Sequence, residues 1–303
     1  MKSAALDDTM APDFTNPSTR RERVMNGLQP LKDGPCLMGI VNVTDDSFFA
    51  GSRASLEQAI ERALHMWSMG ATWVDIGGES TRPGATAISI EEEIQRVVPV
   101  INALRNRGGK GLLSIDTRHA EVAEAALKAG ADMVNDVSGL RDPAMREVVI
   151  RHGCAVCIMH MQGAPGTMQE NPRYDDCLSE VRNELVETAN HLVNQGHDPA
   201  LILLDPGIGF GKTHQHNLEL LNAGRFLVKA TPYRLLWGVS RKSVVGHLTG
   251  HDDPRDRLPG TLGMAMAAHH HQVDVLRVHD VEAHVDAFAC YTPLVKMLNH
   301  QEE

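Results

Sequence analysis

The sequence predicts an α/β protein of the (β/α)8 TIM-barrel class, with its active site at the C-terminal ends of the strands. Three observations lead there. From residue 35 onward, eight short apolar runs alternate strictly with segments of helical period. Such alternation implies right-handed βαβ units and a parallel sheet. Eight units in one chain of 303 residues favour closure over an open, doubly wound sheet. No G-x-G-x-x-G follows the first run, which weakens the open dinucleotide-binding alternative.

The strands are expected at 37–43, 73–76, 112–115, 132–135, 155–159, 201–204, 234–239 and 274–278. They read as continuous apolar runs, as strands buried on both faces should. The first helix is expected over 55–69, where Leu56, Ile60, Ala63, Leu64 and Trp67 recur at helical spacing and Gly70 marks a stop. Ser89 stands three residues before Glu92, a capping-box signal for a helix over 90–106. Further helices are expected over 119–128, 143–152, 175–195, 214–229, 242–248, 258–271 and 280–298. Residues 1–34 are polar and lack an apolar targeting core, and they read as a flexible extension ahead of a barrel domain over 35–303.

Composition narrows the function classes. With 42% hydrophobic and 22% charged residues, the chain has an ordinary globular balance. A formal net charge of −10 gives no support for nucleic acid or an anionic membrane as partner. Five cysteines without framework spacing fit a reduced, cytoplasmic protein. Cys154 and Cys157 form a C-x-x-C, but an offset of three within a strand sends the two thiols to opposite faces. The internal His269–His271 run lies on a helix and reads as surface or packing.

Each strand delivers a polar residue at its C-terminal end: Asn42, Asp75, Asp116, Asn135, His160, Asp205, Ser240 with Arg241 and Lys242, and Arg277 with His279. One such Asp is most simply a helix N-cap. Caps alone do not require acids, amides and cations on eight strands to converge, and in a barrel all eight ends meet at one mouth. Asp116, Asn135 and Asp205 suit the ring N–H and amino groups of a heterocycle, and Lys242 suits a ring carbonyl or nitrogen. Arg82, Arg241, Arg277 and His279 suit an anion, assisted by the N-terminus of the last helix. The segment 207–213 imitates a phosphate loop, but Pro206 occupies a position that motif reserves for Gly.

The segments MGIVNVT (38–44), DSF (46–48), GGESTRPGA (77–85), IDT (115–117), NDVSG (135–139), MHMQGAPGTMQ (159–169), DPGIGFGK (205–212), SRKS (240–243) and RVHDV (277–281) resemble the signature blocks of the dihydropteroate synthases, in the same order. The resemblance implies a transferase of folate biosynthesis and a target of sulfonamides. It would join 6-hydroxymethyl-7,8-dihydropterin pyrophosphate to p-aminobenzoate by an SN1-like path, with Mg2+. It further implies a pterin site of Asp116, Asn135, Met159, Asp205, Phe210, Lys242 and Arg277. Of these, Asp116, Asp205, Lys242 and Arg277 would be catalytic. Asn42, Arg82, Arg277 and His279 would meet the pyrophosphate, Asn42 on the metal side. Phe48, Thr81, Arg82, Pro83, Ser240 and Lys242 would surround p-aminobenzoate, and late helices would form a homodimer. The first loop departs from the family pattern, with Asp45 where most relatives carry Pro and Ala50 where an acidic residue is common. Losing Pro there should loosen the loop. Two rivals are an inactive pterin-binding paralogue and a methyltetrahydrofolate domain of a corrinoid methyltransferase. The latter would not need Arg82, SRKS or RVHD.

Overall fold

The structure, a computed structural model, describes residues 13–28, 34–43, 53–80, 87–163 and 166–299. Eight strands, β1 (Cys36–Asn42), β2 (Trp73–Gly77), β3 (Leu112–Asp116), β4 (Met133–Asp136), β5 (Ala155–Met159), β6 (Ile202–Asp205), β7 (Arg234–Trp237) and β8 (Val275–Val278), close into a barrel in chain order. All eight pairings are parallel. A helix α1 (Pro17–Gly27) precedes the barrel. The outer helices are α2 (Arg53–Ser68), α3 (Ile90–Asn106), α4 (Ala120–Lys128), α5 (Pro143–His152), α6 (Cys177–Asn194), α7 (His214–Ala223), α8 (Ser243–Thr249), α9 (Leu258–His270) and α10 (Val281–Asn299). The helix expected over 214–229 stops at Ala223 and continues as the 3-10 turn Gly224–Val228. The Ser89 hydroxyl caps α3 by accepting from the Glu92 N–H at 3.1 Å.

Period-two alternation divides each strand between two cores. The outward residues pack against the helices in one large cluster, which holds Cys154. The inward residues fill the lower barrel with Met38, Trp73, Leu112, Met133, Leu203 and Leu236, together with Cys157. Both thiols are free and buried, one in each core. Two residues further along β2, the same inward face carries Asp75 where the floor has Trp73. Alternation thus converts an apolar floor into a polar mouth.

The expectation of a flexible extension fails for residues 13–28. Asn16 caps α1 by accepting from the Ser18 and Thr19 N–H groups. Arg20, Val24 and Leu28 recur at a spacing of four and are buried against the barrel floor. The Arg20 guanidinium donates to the carbonyls of Leu127 (3.1 Å), Ala131 (3.1 Å) and His152 (2.9 Å). Leu127 and His152 end α4 and α5, where unpaired carbonyls and the helix dipole favour a cation. Beside it, Arg105 donates to Asp132 at 2.6 Å, and Arg23 bonds the other oxygen of the same carboxylate. The two guanidinium carbons lie 4.3 and 4.6 Å from the centroid of the Phe14 ring. The segment is polar on average, which hides a buried face whose anchor is an arginine.

Arg20→Met keeps the length of the side chain but removes the guanidinium donor from three carbonyls, of which only that of Leu127 keeps a backbone partner, the Gly130 N–H, among the described residues. It should lower unfolding stability by about 3 kcal/mol in a urea titration. An unchanged midpoint would mean that α1 does not hold the floor.

Candidate functional site

Arg277 rises from β8 into the barrel mouth between two carboxylates. Its Nε donates to Asp75 Oδ2 and its Nη2 to Asp116 Oδ2, both at 2.6 Å. Asp75 Oδ2 also accepts from Asn135 Nδ2 at 3.0 Å. One fully buried oxygen therefore orients two of the residues expected to read a heterocycle. Burial penalises the Arg277 charge, but Asp75 and Asp116 outweigh that penalty and hold the guanidinium protonated. Burial pushes the Asp116 carboxyl up, Arg277 opposes this, and the negative charges of Asp75, Glu93 and Asp136 add to it.

The far side of the mouth is built by the strand ends of β6 and β7. Asp205 Oδ1 accepts from the Gly207 N–H at 2.7 Å. Burial raises its carboxyl, against the pull of Lys242. Arg241 takes a left-handed φ of 58°, which turns the chain sharply between Ser240 and Lys242. The Thr261 hydroxyl accepts from the Arg241 N–H at 3.1 Å, and Arg257 donates to the Arg241 carbonyl at 3.0 Å, so the turn is held from α9 and its approach. Lys242 Nζ then donates to the Ile208 carbonyl at 2.6 Å and lies 4.6 Å from the Phe210 ring centroid. Burial lowers its amine to about 8, with Asp205 opposing. A Cβ on Gly238 would stand 3.7 Å from both Asp205 Oδ2 and Lys242 Nζ, so the glycine leaves space between acceptor and donor. Met159 packs with Val137, Met161 and Met168, and Phe210 lies against them, giving the polar mouth an apolar side.

His279 has been driven down to about 3, chiefly by burial and then by Arg277 and Arg241. It is therefore neutral at physiological pH. Its backbone N–H donates to Ser240 Oγ at 3.2 Å, and its Nδ1 lies 3.0 Å from the same oxygen. With the Ser240 hydroxyl donating to Nδ1, the imidazole proton would sit on Nε2. The sequence suggests Arg241 as an anion ligand, and here the structure corrects it. Both arms of its fork are committed to Asp280, at 2.9 and 2.5 Å.

Asn42 ends β1 directly opposite Gly77 of β2. A Cβ on Gly77 would lie 3.5 Å from Asn42 Oδ1 and 3.8 Å from Asp116 Oδ2. The missing side chain leaves a small cradle flanked by oxygens, which suits a hard divalent cation carried mainly by phosphate oxygens. Elsewhere among the described residues, Glu79, Glu93 and His119 bring ligand atoms within 4.8 Å of one another. Arg118 already forks Glu79 at 2.8 and 3.0 Å, and His119 Nδ1 meets Glu93 at 2.8 Å, so these ligand atoms are already engaged within the fold. Lys212 turns away from solvent toward His160, unlike the lysine of a phosphate loop.

The structure thus brings together Asn42, Asp116, Asn135, Asp205, Lys242 and Arg277, with Met159 and Phe210 on the apolar side and Ser240 on His279. Phe48, Thr81, Arg82 and Pro83 lie outside the described residues, as do Asp45 and Ala50. The residue that sequence reasoning left without a role is Asp75. Its signal was an acid at an inward position of the otherwise apolar strand Trp73–Gly77.

Asp75→Asn preserves volume and removes the charge that Arg277 and Asn135 share. Affinity for a pterin, read by calorimetry, should fall about tenfold or more. Full affinity would show that other contacts orient the pair.

The geometry can be set beside known proteins. Residues 38–279 match the family model described as pterin binding enzyme. The chain is 44% identical over 255 residues to the dihydropteroate synthase of Escherichia coli strain K12, covering 84% of this chain and 89% of that one. It is 43% identical over 266 residues to the dihydropteroate synthase of Neisseria meningitidis serogroup C, covering 86% and 93%. Among solved structures, Yersinia pestis dihydropteroate synthase in a sulfonamide drug complex superposes with a TM-score of 0.81 at 41% identity, over 88% of this chain and 96% of that one. Xanthomonas albilineans dihydropteroate synthase in complex with 7,8-dihydropteroate gives 0.77 at 38%, over 87% and 95%. The chain belongs to the dihydropteroate synthase family of pterin-binding enzymes.

Proposed function

We propose that this protein condenses 6-hydroxymethyl-7,8-dihydropterin pyrophosphate with p-aminobenzoate, giving 7,8-dihydropteroate and pyrophosphate. The observation that carries this reading is the mouth itself. Acceptors on β3, β4 and β6 face a cation from β8 and an amine from β7, beside the apolar Met159–Phe210 wall. Related structures hold 4-aminobenzoic acid or 7,8-dihydropteroate, which supports both halves of the reaction.

In this reading Asp116, Asn135 and Asp205 accept from or donate to the ring edge of the pterin, and Lys242 donates to a ring acceptor. Arg277 lies along the ring and faces the departing anion. Asn42 and the His279 Nε2–H reach the pyrophosphate. Asn42 would also hold Mg2+, which supplies neutralising charge on the leaving group. As the C–O bond to pyrophosphate breaks, positive charge develops on the exocyclic methylene of the pterin. Asp116 and Asp205 stabilise it through space. The amine of p-aminobenzoate then forms the new C–N bond and loses a proton. The chain contributes position and field and no covalent nucleophile. Phe48, Thr81, Arg82 and Pro83 would close over p-aminobenzoate.

Helix α10 supports the expected homodimer, since Leu294 and Met297 near its end are 62% and 63% exposed. No helix of the described residues is long and apolar enough to cross a membrane.

The purified protein, given the pterin pyrophosphate, labelled p-aminobenzoate and Mg2+, should release one pyrophosphate per dihydropteroate formed. Lys242→Ala should reduce kcat/KM by about a hundredfold or more. Absence of both products from the unaltered protein would overturn the assignment. Replacing Leu294 and Met297 together by Asp should shift the mass seen by light scattering from dimer to monomer. A monomer before substitution would remove the dimer reading.

A further inference from the structure

The segment Asp205–Lys212 forms one wall of the mouth, and it is held at Gly207 by Asp205, at Gly209 by Asn217 and Gln169, and at Gly211 by the Tyr174 hydroxyl. It starts from Asp205, and it presents the Ile208 carbonyl and the Phe210 ring to Lys242. Its course is tight. Gly207 has φ +66°, and a Cβ there would stand 1.9 Å from the His160 carbonyl oxygen. The segment is therefore laid directly across the end of β5. The residue that ends it, Lys212, is 3% exposed. Its Nζ donates to His160 Nδ1 at 2.9 Å, to the Phe210 carbonyl at 2.9 Å and to the His160 carbonyl at 3.3 Å. All three ammonium hydrogens are thus used within the fold, and none of its acceptors is a carboxylate. A buried ammonium without a paired carboxylate is costly, and a hydrocarbon of equal length would fill the same space. What only the ammonium provides is the simultaneous fixing of three acceptors from two loops.

We propose that Lys212 is a positioning residue for the pterin, with its ammonium clipping the loop that carries Phe210 and the Ile208 carbonyl onto His160. The proposal rests on the pterin-binding reading of the mouth. The clip sets a condition on His160. Its Nδ1 must be an acceptor, so the ring is neutral with its hydrogen on Nε2, which faces Glu184 of α6 at 3.4 Å. Protonating His160 would set N–H against the ammonium. Deprotonating Lys212 would leave two hydrogens for three acceptors.

Both limits have physical causes in the surroundings. Burial lowers His160, with Glu184 opposing and Lys212 and Arg141 adding to the shift, and Tyr174 packs on its ring. Burial brings Lys212 down to about 7, countered by Cys177, Asp205 and Glu184 and reinforced by Lys242. The clip is whole while His160 is neutral and Lys212 charged. It weakens as pH rises through the Lys212 value, below the separate limb expected from Lys242.

The test compares Lys212→Met, His160→Leu and His160→Gln in the full chain. Each is measured by calorimetric titration with 6-hydroxymethylpterin across pH, by circular dichroism, and by the KM of each substrate. Lys212→Met should bind the pterin about tenfold more weakly, with the KM for p-aminobenzoate changed less than about twofold. Its alkaline fall in affinity should move up to the limb of Lys242. Combining it with His160→Leu should add little further loss, since both break one clip. Unchanged pterin affinity in folded Lys212→Met, or equal rises in both KM values, would overturn the proposal. Should Lys212→Met not fold, the two His160 variants decide. Gln retains an acceptor and should keep affinity within about threefold, Leu should lose about tenfold, and equal affinities would overturn it. Pterin binding without dihydropteroate formation by the unaltered protein would reject the proposed reaction while leaving the Lys212 comparison intact.

Discussion

A guanidinium inside a barrel is tolerable only if its charge is matched, and that condition organises the mouth. Arg277 is held by Asp75 on β2 and Asp116 on β3, so three strands are tied by one charged group. Asp75 then reaches past β3 to Asn135 on β4. Burial, and after it the charge of the pinned Arg277, keep the neighbouring imidazole of His279 neutral. The same interior is apolar below, at Trp73, Leu112 and Met133, where no charge would be matched. The Arg277 charge thus has its partners before any ligand arrives. This is the preorganisation that electrostatic catalysis requires.

Much of this was legible in the sequence because strands alternate with period two and barrels bring strand ends together. The fold class, the strand ends Asn42, Asp116, Asn135 and Asp205, and the opposite faces of Cys154 and Cys157 all follow from those rules. Other features depended on partners far away in the chain. Nothing near Arg241 announces that Asp280 occupies it, and the αL turn that commits it there is supported from Thr261 and Arg257. Asp75 was hidden because a lone acid in an apolar strand has no local explanation. Its meaning appears only when Arg277, 202 positions later, lies beside it. Residues 13–28 misled for a different reason, since averaging their polarity concealed a stripe of Arg20, Val24 and Leu28.

The two lysines of the mouth show how one residue type serves different ends. Lys242 is aimed at open space beside Gly238, across from Asp205, and keeps only one backbone acceptor among the described residues. Lys212 spends its donors on the fold. Sequence spacing alone could not separate them, because both follow a glycine- or serine-containing strand end. The separation comes from the direction in which the backbone presents each side chain.

The attachment of α1 has a temporal side. The three carbonyls that receive Arg20 belong to residues 107 to 132 positions further along the chain. They exist as a receptor only after α4, β4 and α5 have assembled, so the first helix made must wait for the middle of the barrel before it can dock. Contacts of such sequence separation are slow to form. Helix α1 therefore acts as a latch that reads whether the ends of α4 and α5 have come together beneath the barrel.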